Sequence, residues 1–78
     1  MKLPHDHPVR NFPDDFLLYQ TMAAWMMAEG ILSLRDYDRK SSEILRHAYT
    51  EARRLRVPGE AVSKVLTLIR RVEMGLKP

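Results

Sequence analysis

No cysteine occurs in these 78 residues, which excludes a disulfide framework and any thiolate metal site. Glycine is scarce too, with three residues, and none forms the glycine-rich loop that cradles a phosphate. Neither G-x-S-x-G nor H-E-x-x-H is present. Paired carboxylates occur only as Asp14 with Asp15 and Asp36 with Asp38, where stabilising a helix start accounts for them. A calcium loop at Asp36-Tyr37-Asp38 is ruled out, because Lys40 takes a ligand position and Ser41 stands where glycine is required. The absences argue against an enzyme, a metal site and a bound cofactor.

A long hydrophobic run is also missing. The most apolar stretch, Phe16 to Ala28, is interrupted by Glu29 and Gly30 after thirteen residues, short of the roughly 20 a membrane span needs. Asp14 and Asp15 precede it where a secretory signal carries basic side chains. The expectation is a cytoplasmic protein that does not enter a membrane. A chain this short buries only about 60% of the surface its unfolded form exposes. Without disulfides, pairing with another copy is the remaining way to enlarge the core.

Charge is present but unevenly placed. Residues 1–38 carry Lys2, Arg10 and Arg35 against Asp6, Asp14, Asp15, Glu29, Asp36 and Asp38, a net of −3. Residues 39–71 carry nine basic side chains against Glu43, Glu51 and Glu60, a net of +6. Such a division points to a polyanion partner for the second half, or to one half neutralising the other.

Read in order, Met1 to Arg10 has two prolines and no apolar period, so an extended arm is expected there. His5 and His7 lack a third fixed metal ligand and read as part of a solvated tail. Residues 11–78 form a single helical domain. Its first helix is expected over 12–29, capped by Asn11, with Pro13 in the first turn and Gly30 as the stop. This helix is apolar around its whole circumference, which marks a central core or a subunit interface. Two further helices leave one face of it open, so a homodimer is expected, with Met22, Trp25, Met26 and Met27 at or beside the contact.

Ser33 and Asp36 form a capping-box-like start for a second helix over 34–56. Leu34, Tyr37, Ser41, Ile44, Leu45, Ala48, Ala52 and Leu55 define its apolar face. The consecutive Ser41 and Ser42 mark the weakest point in that helix. Val57-Pro58 closes the second helix. A third follows over 59–74, with Ala61, Val62, Val65, Leu66, Ile69 and Val72 as its stripe. The fold class is all-α, a three-helix bundle.

The stretch Glu51 to Leu66, EARRLRVPGEAVSKVL, resembles the helix-turn-helix signature of bacterial repressors. Ala52, Leu55, Val57, Val62, Ser63, Lys64 and Val65 fall on matching positions. A small Ala52 lets the next helix cross closely, and the four larger apolar residues hold the crossing angle. Arg56 stands where the motif has a turn glycine with positive φ, and Pro58 where it has a capping serine.

The resemblance implies that Gly59, Glu60, Ser63, Lys64 and Thr67 face base edges of double-stranded DNA. Arg53, Arg54, Arg56, Arg70 and Arg71 then contact phosphates. The competing expectation is a small adaptor or inhibitor that docks on a partner protein through its methionine-rich first helix or arginine-lined second helix.

Overall fold

In a computed structural model describing residues 15–75, the chain is all-α and no strand occurs among the described residues. Four helices follow one another: α1 Phe16–Ala28, α2 Leu34–Arg39, α3 Ser41–Leu55 and α4 Glu60–Leu68. The last continues into a π-helical segment, Ile69–Gly75. The N-terminal arm, the metal reading of His5 and His7, and the helix-start roles of Asn11, Pro13 and Asp14 lie outside the described residues.

α1 turns one stripe inward. Leu18, Tyr19, Met22, Ala23 and Met26 recur at helical spacing and are buried, and α3 and α4 pack against the helix. Ile44, Ala48 and Ala52 of α3 meet this stripe, as do Val62, Val65 and Leu66 of α4 and Ile69 beyond it. Fully burying a leucine, isoleucine or methionine stabilises by about 1.5–3 kcal/mol. Shared alanines on α1 and α3 allow the helices to approach closely. At the edge of this contact Trp25 stacks on His47, with ring centroids 4.1 Å apart and an interplanar angle of 11°.

The opposite face of α1 is not covered by its own chain. Leu17 is 53% and Met27 65% exposed, and Ala24 and Ala28 beside them are also exposed. One open face is what the sequence implied; Met27, expected there, lies on it together with Leu17, which was not expected.

α1 ends as expected at Gly30, in a Schellman motif. The Gly30 N–H donates to the Met27 carbonyl at 3.1 Å, and the Ile31 N–H to the Met26 carbonyl at 2.9 Å. Gly30 takes φ +76°, and the flanking Met26 and Ile31 are both buried. Ser33 then caps α2, its Oγ accepting from the Asp36 N–H at 3.1 Å.

The expected helix over 34–56 is not continuous, so the count of three helices is corrected to four. Lys40, at φ −107° and ψ 20°, separates α2 from α3. Serine hydroxyls compete for backbone hydrogen bonds, so Ser41-Ser42 is a weak place to continue a helix. An unbroken helix would carry Ser41 on the apolar face between Tyr37 and Ile44. With the break, Tyr37 and Ile44 remain buried and Ser41 is exposed. Leu45, also expected on that face, is exposed. α2 packs instead against the π-helical segment, where Arg70 lies 5.8 Å from the centre of the Tyr37 ring. In α4 the expected stripe is buried from Ala61 to Ile69, and Val72 is half-buried.

The π-helical segment is tied to α1 by a hydrogen bond from the Tyr19 hydroxyl to the Glu73 carboxylate. Burial raises the Tyr19 pKa well above its usual 10.0, and the Glu73 hydrogen bond and charge add to the effect. Burial raises Tyr37 as well, with the Arg70 charge opposing and Asp38 adding.

A tyrosine that stays protonated in the fold but ionises in the unfolded chain gives stability that is complete below pH 10.0 and lost as pH rises beyond it. Melting temperatures taken between about pH 8 and about pH 11 are therefore expected to fall more steeply for the wild type than for Tyr19→Phe. Parallel falls would remove Tyr19 from this role.

Candidate nucleic-acid interface

The corner between α3 and α4 is built by a second Schellman motif. The Arg56 N–H donates to the Arg53 carbonyl at 3.2 Å and the Val57 N–H to the Ala52 carbonyl at 2.8 Å. Arg56 takes φ 60° and ψ 37°, the left-handed region. The arginine that replaces the motif's turn glycine therefore takes a positive φ itself. Ala52 is buried at the crossing, Val62 and Val65 are buried on α4, and Leu55 and Val57 pack against them half-buried.

After the corner, Gly59 precedes α4 with no side-chain cap. Instead the Ala61 N–H donates to the Pro58 carbonyl at 2.9 Å and the Val62 N–H to the Gly59 carbonyl at 3.0 Å. Pro58 thus supplies a carbonyl to the first turn in place of the missing serine.

The outward side of α4 carries Glu60, Ser63, Lys64 and Thr67, all exposed, with Gly59 exposed at its head. The five expected base-reading residues thus fall on one face, but they are not equally available. Lys64 Nζ lies 3.6 Å from Asp15 Oδ2, and the Asp15 side chain is only 9% exposed. Pulling Lys64 away would leave that carboxylate nearly buried without its cation, which is costly.

The five expected phosphate contacts divide similarly. Arg53, Arg54, Arg56, Arg70 and Arg71 are all exposed. Arg54 is held by Glu51, with Nη2 2.6 Å from Oε1, and this hydrogen bond holds the Glu51 carboxyl below its usual range. Arg70 Nη2 bonds Asp38 Oδ1 at 3.1 Å, both side chains being largely exposed. Arg53, Arg56 and Arg71 make no ion pair among the described residues. Asp15 and Asp38 of the acidic half therefore neutralise Lys64 and Arg70 of the basic half, and a cationic remainder is left around the corner.

Two further exposed residues adjoin this surface without having been singled out by the sequence. Arg46 and Tyr49 share the exposed face of α3 with Arg53, at i−7 and i−4 from it. The Tyr49 ring sits beside the turn, its Cε1 3.6 Å from where a side chain on Gly59 would begin. The signal available was an aromatic and two arginines recurring at helical spacing on a non-core face.

The four candidate dimer residues, expected at or beside a contact, divide between core and surface. Met22 and Met26 are 0% and 1% exposed, so in this chain they belong to the core and not to its outer surface. Trp25 is half-buried against His47, and Met27 is on the open face. Leu17 and Leu32 are exposed apolar residues of the same part of the chain.

Among the described residues no three histidine or acidic side chains are grouped to hold a metal ion, and no helix is long and apolar enough to cross a membrane. The chain matches no known protein family, no curated protein and no solved structure.

Proposed function

We propose that this chain is a small cytoplasmic DNA-binding regulator that grips a duplex at the α3–α4 corner and works as a homodimer. The observation that carries the reading is the corner itself: a tight left-handed turn at Arg56 joins a short helix with a polar outward face to one whose exposed side bears unpaired arginines. In this reading Arg46, Arg53, Arg56 and Arg71 contact phosphates, giving affinity without sequence information. Gly59, Glu60, Ser63 and Thr67 approach base edges, where Glu60 accepts from a cytosine amine. The exposed Arg70–Asp38 pair contributes no more than about 1 kcal/mol, so Arg70 can exchange its carboxylate for a phosphate at little cost. Lys64 stays with Asp15 and orients α4 rather than reading sequence.

The dimer reading rests on the outer face of α1. Leu17, Gln20, Thr21, Ala24, Met27 and Ala28 lie on that side and none is charged. The same face gives a second reading some support, a helical adaptor whose α1 docks in an apolar groove of another protein. Salt dependence separates the two, since phosphate contacts release counterions and apolar contacts do not.

Fluorescence anisotropy on a labelled random duplex is expected to show binding at about 50 mM salt that weakens steeply as salt rises. Arg53→Ala is expected to lower the slope of log K against log salt by about one, equally for all sequences. No binding by the wild type at that salt would overturn the DNA reading. Light scattering at tens of micromolar is expected to return twice the 9.1-kDa chain mass, and Leu17→Glu with Met27→Glu to return the monomer still folded. A wild-type monomer would remove the dimer.

A further inference from the structure

Two helices of this chain end in the same motif with different residues at the left-handed position. After α1 the residue is Gly30, at φ +76°. After α3 it is Arg56, at φ +60°. The hydrogen bonds correspond one for one: 3.1 and 2.9 Å at the first corner, 3.2 and 2.8 Å at the second. Each motif brackets its turn with apolar side chains, Met26 with Ile31 and Ala52 with Val57. Only glycine takes this conformation without a steric clash at Cβ. The first corner thus has the residue that the geometry favours, and the second has one that it penalises.

At the second corner the backbone hydrogen bonds hold the turn, but no side-chain contact of Arg56 among the described residues offsets the penalty. Arg56 is exposed, and its guanidinium makes no ion pair or aromatic contact among the described residues. Strained backbone of this kind persists where the side chain serves something other than the fold. The left-handed well is narrow, and two Schellman hydrogen bonds pin it, so the direction of the Arg56 Cα–Cβ bond is fixed more tightly than at a fraying helix end. A cation launched from a fixed backbone position loses less freedom on binding than one on a mobile segment. Its surroundings match an anionic ligand: Arg53 lies one turn before it, Tyr49 lies over the turn at Gly59, and the nearest acid on α3, Glu51, is already held by Arg54.

We propose that Arg56 is a pre-placed phosphate anchor, kept in a strained conformation because its guanidinium fixes the α3–α4 corner on the DNA backbone. The proposal rests on the DNA reading above and adds that stability and affinity are opposed at this one residue.

Three variants test it, each followed by thermal melting and by duplex anisotropy across a salt series. Arg56→Gly relieves the clash and is expected to raise the melting temperature by about 5 °C, with some of the gain lost to glycine's greater freedom in the unfolded chain. The same variant is expected to bind duplex about three- to tenfold more weakly, with the salt slope reduced by about one. Arg56→Ala keeps the strain and loses the charge, so it is expected to lose the same affinity without the gain in melting temperature. Arg56→Lys is expected to keep the wild-type salt slope.

If Arg56→Gly is more stable but binds with wild-type affinity and slope, Arg56 is not an anchor, although the DNA reading stands. If it is less stable than wild type, the strain argument is wrong. If the wild type itself does not bind, the DNA reading fails and takes this proposal with it.

Discussion

The structure depends on burying one stripe of α1. Leu18, Tyr19, Met22, Ala23 and Met26 present a continuous apolar strip, and α3 and α4 are placed by the need to cover it. Ala48 and Ala52 let α3 lie close, and the β-branched Val62 and Val65 fill the space on the α4 side. In so small a chain the margin is thin, because conformational entropy opposes folding by nearly as much as burial favours it. The connections therefore have little room to vary: Gly30, Ser33 and Arg56 each fix a corner through specific backbone hydrogen bonds.

This packing also determines which charges reach the solvent unpaired. Covering α1 with α4 brings Lys64 to Asp15, and packing α2 against the π-helical segment brings Arg70 to Asp38. The imbalance between the halves of the sequence is partly cancelled across these contacts. Among the described arginines outside ion pairs, Arg46, Arg53, Arg56 and Arg71 belong to α3, its corner and the segment after α4, and Arg35 belongs to α2, all on surfaces the core does not use. An exposed cationic surface follows from what the fold leaves over, and the uncharged outer face of α1 is left over in the same way.

Local signals in the sequence were legible. Gly30 as a stop, Ser33 as a cap and the stripe from Ala61 to Ile69 are all set by neighbours within a few positions, whereas the positive φ at Arg56 was not expected of an arginine. The break at Lys40 was half legible: the two serines mark the weak point, but only tertiary packing decides whether a weak point breaks. Non-local features were not legible. Nothing near Met22 or Met26 says which side of an all-apolar helix its neighbours will cover, so the inward Met22 and Met26 could not be told from the outward Met27 and Leu17. Lys64 looked like a free recognition side chain because its partner, Asp15, is far away in sequence. The π-helical winding after Leu68 carries no local signature.

In the proposed function the α3–α4 corner, and not the outer face of α1, meets DNA. Amide resonances of isotopically labelled protein titrated with an unlabelled duplex test this residue by residue. Shifts are expected to concentrate at Arg53, Arg56, Gly59, Ser63 and Thr67, with Leu17, Ala24 and Met27 unmoved. Shifts concentrated on the α1 face, or none at a duplex excess that saturates non-specific sites, would contradict it.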